Sequence, residues 1–378
     1  MLDLAGQREI VDADLDYVTK VESPVLIDEW QLAPAVWDRV RRAVDEDARG
    51  GRFLLAGSAG VAPGVRVHSG AGRIVSLIMR PLSMAERGIA GPTVSLAQLL
   101  TGSKPAISGR TDIDLSAYVE EILASGFPGY VISRNGRAPS SSTATSPASS
   151  RGSCRRTAST CAVRTLSAAG WRPMRRRPRP TRPTPRSSMP PPGDDRQASR
   201  ATVDNYREHL SRIYVLDPIP AWVPTFNPLK RLTLSPKHHL VDPALAARLV
   251  GVGRAGLLQG TGDRVAATSG TWLGALYESL VAQSVRVYAA AASAHVGHLR
   301  TKETDHEIDL IVEGEDRRVV AIEVKLSESV SDKDVRHLNW LHAQIGDRVA
   351  DRVLVNTGKL AYRRPDGVAV VPLALLGP

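Results

Sequence analysis

The chain has 378 residues, with 49 Lys+Arg against 39 Asp+Glu, a net charge of +10 and 42% apolar residues. That balance excludes a wholly disordered, collagen-like or coiled-coil chain, and the length sets an expectation of two to three domains. No apolar run reaches the ~18 residues of a membrane span, and the N-terminus lacks a basic-then-apolar signal pattern. A cytoplasmic protein with no membrane partner is therefore expected. Two cysteines, Cys154 and Cys161, cannot build a disulfide framework or a zinc site.

Residues 1–130 read as alternating strands and helices. Residues 23–28 (SPVLID) form a short apolar run suited to a buried parallel strand. Residues 34–44 are amphipathic and helical. Residues 53–57 (FLLAG) and 74–79 predict a second and a third strand. This β–α alternation argues an open parallel sheet covered by helices.

Residues 137–200 break the pattern. They hold 14 Arg, no Lys and only two acids, Asp194 and Asp195, together with both cysteines. The rest of the chain is close to neutral, so the basic character belongs to this one segment. Its Ser, Thr, Ala, Arg and Pro offer no strand or helix period and almost nothing to bury. Three readings fit: a disordered linker, a basic nucleic-acid tail, or a GC-rich gene translated out of frame. Re-reading residues 142–191 in the −1 frame gives helix-period apolar residues and good helix formers, which favours the third.

Normal texture returns near residue 192. A helix and a strand are expected across 201–222, within a small helical module that runs to about 260. Residues 271–284 predict a helix, 308–312, 319–324 and 353–356 predict strands, and 332–345 predict a helix before the last of them.

Two constellations carry chemistry. In PVLIDEWQ, Asp28 and Glu29 fall at the C-terminal end of a buried strand, the edge where open parallel sheets bind ligands. The first acid of such a pair suits Mg²⁺ on a nucleotide, and the second suits an attacking water. Ser58 ends the next strand beside them. Arg73 follows a glycine-rich turn, a setting that suits a finger-type arginine directed at a phosphate.

The second constellation is Asp309 on one strand and Glu323-Val324-Lys325 on the next. Strand alternation puts Glu323 and Lys325 on one face. Two carboxylates can bind Mg²⁺ while the lysine steadies a developing charge. Glu278, on the preceding helix, is a candidate fourth member. The histidine pair His238-His239 and the scattered His295, His298, His306, His337 and His342 show no zinc spacing and read as satisfied or exposed.

Ile27-Asp28-Glu29-Trp30-Gln31, Ala56-Gly57-Ser58, Ser69-Gly70-Ala71-Gly72-Arg73, Pro81-Leu82-Ser83 with Glu86, and Gly126-Phe127-Pro128 together resemble the prokaryotic AAA-type P-loop ATPases that carry a C-terminal domain of formerly unknown function. The resemblance covers about residues 1–130 and 200–378. It implies a Walker B pair at Asp28 and Glu29, a sensor-like Ser58, Arg73 as an arginine finger that would make the protein an oligomer, and ATP and Mg²⁺ as cofactors. It also implies a C-terminal domain of PD-(D/E)xK nuclease-like fold, with Glu278, Asp309 and Glu323 as metal ligands, Lys325 as a catalytic lysine, and DNA as a partner.

The sequence departs from that family in one respect. It contains no G-x-x-x-x-G-K-[ST] phosphate loop, so the nest of backbone N–H groups and the phosphate lysine are missing. The expected protein is α/β: a partial P-loop ATPase domain truncated at its N-terminus (1–135), an out-of-frame segment (136–196), a winged-helix-like helical module (197–262) and the nuclease-like domain (263–378). Its expected function is impaired ATP binding and hydrolysis, with a metal-dependent nuclease or a non-catalytic nucleic-acid-binding protein as alternatives.

Overall fold

The computed structural model describes residues 4–60, 70–135, 200–225, 234–259, 269–301 and 306–378. The segment 137–199, with its basic-tail and out-of-frame readings, lies outside the described residues. The chain divides into two compact units, Met1–Met79 with Glu208–Leu216 and Arg80–Arg207 with Asp217–Pro378.

The first unit runs α1 (Ala5–Ala13), α2 (Tyr17–Lys20), β1 (Val25–Asp28), α3 (Ala35–Glu46) and β2 (Phe53–Ala56). Apolar residues in α3 recur at Val36, Val40 and Ala43, the spacing of one helix face. That face closes a small core with Val11, Val18, Ile27 and Ala33. β1 and β2 pair in parallel, Leu26 opposite Leu54, as the apolar runs predict. Only one sheet face is covered, because Leu26 and Leu54 are 51% and 63% exposed.

The third strand expected at residues 74–79 does not form. Among the described residues the two-stranded sheet pairs with no further backbone, and an extended run without a ladder leaves its N–H and C=O groups to water. Val75, Leu77 and Met79 are accordingly exposed.

The second unit contains β3 (Val94–Ser95), α4 (Leu96–Leu100), β4 (Gly109–Arg110), α5 (Leu115–Ala124), α6 (Pro128–Asn135), α7 (Arg200–Arg212), α8 (Pro243–Val250), α9 (Arg254–Gln259) and α10 (Ser269–Ala291). It continues with β5 (His295–Arg300), β6 (Glu307–Glu313), β7 (Val319–Val324), α11 (Asp332–Ile345), β8 (Val349–Asn356), β9 (Leu360–Arg363), β10 (Ala369–Pro372) and β11 (Leu376–Gly377). α7 crosses the boundary between the units. Seven strands form one sheet in the order β4-β9-β10-β8-β7-β6-β5. β5–β6 and β6–β7 are antiparallel, while β7–β8 and β8–β10 are parallel.

The sheet is buried on both faces. In β7, Val320 and Ile322 pack into the layer of α10, with Leu276, Tyr277, Leu280 and Val281. Val319 and Ala321 pack into the layer of α11, with Val335, Leu338 and Leu341. The middle of α10 is buried, with Leu276, Tyr277, Leu280, Val281 and Val285 inside. α11 starts on a capping box in which Ser331 and Asp334 exchange hydrogen bonds.

The boundary expected at residue 135 is displaced. Residues 80–124 add Met84, Leu96, Leu99, Tyr118 and Ile122 to the core of the second unit. β4 pairs with β9 and β3 with β11. This stretch belongs with the C-terminal half rather than with β1 and β2.

Candidate functional site

β6 carries a bulge that re-aims one acid. Gly297 pairs with Ile311 and Leu299 with Ile308, so His298 stands against two residues, Asp309 and Leu310. The extra residue flips the strand's parity. Ile308 and Leu310, two apart, therefore pack into opposite layers. Asp309 sits at the flip, where its Oδ2 accepts a hydrogen bond from Val324 N of β7 at 3.0 Å.

The structure brings all four predicted C-terminal residues into this neighbourhood, together with one that sequence reasoning missed. Lys237 Nζ lies 2.9 Å from Asp309 Oδ1, 3.0 Å from Glu278 Oε1 and 3.3 Å from Glu307 Oε1. Its three N–H donors match those three carboxylates. Lys237 is fixed in turn by a backbone bridge to Ile219. Just past the end of β7, Lys325 Nζ donates to Glu323 Oε1 at 2.8 Å. Glu323 Oε2 is buried without a hydrogen-bond partner among the described residues.

Burial and mutual repulsion set the protonation pattern. Burial, then the charge of Asp309, pushes Glu323 up to about 8, against the pull of Lys325 and Lys237. Glu278 is also raised, by burial and by Asp309. Burial pushes Asp309 up as well, but the Lys237 charge and hydrogen bond outweigh it and hold the carboxyl low. Burial works against the Lys237 ammonium, and the attraction of Asp309, Glu278 and Glu307 overcomes it. Beside them His239, bonded through Nδ1 to Ser279 Oγ at 2.9 Å, is pulled down to about 4, chiefly by burial and by Lys237.

This arrangement differs from the metal site expected at Glu278, Asp309 and Glu323. Among the described residues no group of three or more His, Cys, Asp or Glu side chains is placed to hold a metal ion. Lys237 instead pairs with Glu278 and Asp309, two of the three expected ligands.

In the first unit, Asp28 closes β1 and Glu29 follows in the left-handed region at φ 55°. Asp28 Oδ1 accepts from Glu29 N at 3.1 Å, which holds the turn. Glu29 Oε2 accepts from Gln31 Nε2 and, at 3.3 Å, from Ser58 Oγ. Glu29 and Ser58 thus meet as expected. Arg73 does not join them; its guanidinium pairs with Asp45 of α3. Two carboxylates and a hydroxyl suit Mg²⁺ chemistry, but the sequence supplies no lysine-bearing glycine loop for phosphates.

Other motif residues turn out to hold structure together. Leu82 N donates to Gly126 O at 2.7 Å, and Gly126 N donates to Asp242 Oδ2 at 2.7 Å. A Cβ at Gly126 would lie 2.6 Å from Leu82 O, so only glycine fits. Ser83 N and Oγ both bind Glu86 Oε2. Of the histidines, His306 and His337 approach each other, Nδ1 to Nδ1 at 3.1 Å, and His306 stacks on Trp340.

Residues 273–376 match a domain of unknown function, DUF4143, and residues 192–255 match a second one, DUF8612. No curated protein and no solved structure matches the chain. No helix among the described residues is long and apolar enough to cross a membrane.

Proposed function

We propose that this chain is a protein of the AAA-type P-loop ATPase group whose C-terminal unit is a PD-(D/E)xK nuclease-like module used for binding rather than for metal-dependent cleavage. The observation that carries this reading is the ammonium of Lys237 among Glu278, Glu307 and Asp309. The resemblance calls for an acid on one strand and an E-x-K on its neighbour; Asp309 lies on β6, and Glu323 lies on β7 with Lys325 just after it. The match of residues 273–376 to DUF4143 supports the same grouping.

Metal-dependent cleavage needs the acids free to coordinate a divalent cation and to orient water. Here Lys237 supplies the positive charge, and Lys325 is occupied with Glu323. In the first unit, Asp28 and Glu29 are Walker B-like, but carboxylates alone do not hold β- and γ-phosphates. MgATP binding is therefore weak.

The test incubates the full chain with supercoiled plasmid DNA and Mn²⁺ or Mg²⁺, and titrates MgATP by calorimetry. The expected result is no nicking and no micromolar ATP binding. Nicking abolished by Asp309→Asn, or tight ATP binding abolished by Asp28→Ala, would contradict the reading.

A further inference from the structure

A second feature of the C-terminal unit lies away from the acidic centre. A cavity of about 340 Å³ opens beside the start of β5. Arg80 and Arg286 line it, and both lean on a single carboxylate behind them. Arg80 Nε lies 2.8 Å from Asp217 Oδ2, and Arg286 Nη2 lies 2.9 Å from Asp217 Oδ1. The two guanidinium side chains are only 9% and 14% exposed. Two largely buried cations sharing one anion leave an uncompensated positive charge, which is costly in a medium of low dielectric.

A bare donor lies on the same wall. Trp222 lines the cavity, is 3% exposed, and its indole Nε1 has no hydrogen-bond partner among the described residues. Backbone packing holds it there: a Cβ on Gly297 would come 2.9 Å from Trp222 Cβ and 3.1 Å from Pro220 O. The acid on this wall, Glu313, is engaged by Arg317 and Arg348. Ala290, Ala294 and Val296 supply an apolar side.

We propose that this cavity binds a small organic anion, a carboxylate or phosphate monoester with a short apolar body, whose charged end meets Arg80 and Arg286. The volume suits a compact ligand, at the lower end of the roughly 300–1,000 Å³ of small-molecule sites. Burial, and Arg80 in addition, draw the Arg286 guanidinium down to about 10 against the pull of Asp217. A second anion would relieve that crowding. The oxygens of either anion can take both guanidiniums, since charge-assisted pairs of this kind are geometrically directed.

The experiment measures the melting temperature of the full chain in sodium phosphate, phenyl phosphate or sodium butyrate, each at about 10 mM and compared with sodium chloride at equal ionic strength. Binding is expected to raise Tm by about 3 °C for at least one organic anion. Ala290→Trp blocks the cavity from an exposed position, and Arg80→Gln removes one cation. Each variant should fold and lose most of the gain. A larger gain for phenyl phosphate identifies the phosphate class, and a larger gain for butyrate the carboxylate class. No organic anion exceeding chloride would overturn the proposal. So would a gain that survives in both variants, because that is the signature of general exclusion of salts from the surface.

Discussion

Two pairs of acids belong to strands or strand ends in this molecule, and their surroundings make them different groups. Asp28 and Glu29 close a two-stranded sheet, half-buried, with partners that are neutral: a backbone N–H, an amide and a hydroxyl. Asp309 and Glu323 lie on inner strands of a seven-stranded sheet covered on both faces, and each is paired with an ammonium group, Asp309 accepting from a backbone N–H as well. The comparison teaches that a carboxylate on a strand becomes a structural ion pair or stays with neutral partners according to what burial forces upon it. In the buried case the chain supplies its own cation.

The largest effect expected from this contrast is at Lys237. Lys237→Met leaves Glu278, Glu307 and Asp309 facing one another, and breaking such a cluster costs about 3–5 kcal/mol. The melting temperature of the second unit should fall sharply, whereas Asp28→Asn and Glu29→Gln should each stay within about 0.5 kcal/mol. Equal losses at the two sites would erase the distinction.

The next effect is a pH dependence. Glu323 has a raised pKa of about 8 against an ordinary 4.5. The folded state therefore holds its proton more tightly than the unfolded state, and stability declines as pH rises from about 4.5 to 8. Glu323→Gln, a neutral mimic, should gain stability over wild type above pH 8 and match it near pH 4.5. His239 acts in the opposite sense. Its pKa is lowered to about 4, so its contribution is present above pH 6.5 and is lost as pH falls to 4. Thermal melts of His239→Gln and wild type across pH 4–7 should converge at the acid end.

Much of the second unit was legible in the sequence. The apolar run of β7 and the amphipathic period of α11 fixed both elements to the residue, Val319–Val324 and Asp332–Ile345. α10 continues to Ala291, beyond the expected end at 284, because the following Val-Arg-Val-Tyr-Ala-Ala-Ala run contains no helix breaker. β5 escaped notice since His-Val-Gly-His-Leu-Arg shows no clean alternation. Lys237 was illegible for a different reason: it stands 41 residues from Glu278 and 72 from Asp309, in a loop, and no local spacing announces a contact of that range. The run at residues 74–79 carries a good strand pattern, yet pattern alone provides no neighbouring strand.

The smallest effects belong to the first unit. Ser58→Ala removes a single 3.3 Å hydrogen bond to Glu29 at an exposed position, and should cost under about 1 kcal/mol in urea unfolding. Arg73→Ala breaks a surface pair with Asp45 and should cost about as little. A loss of several kcal/mol from either would show that this edge is held more tightly than its geometry indicates.

The most direct test of the central claim is calorimetric titration of Mn²⁺ into the full chain at neutral pH. With Lys237 as the resident cation, no stoichiometric site should appear in the micromolar range. A single tight site that disappears in Asp309→Asn would contradict the account, because it would show the acids free to coordinate metal in the presence of the lysine.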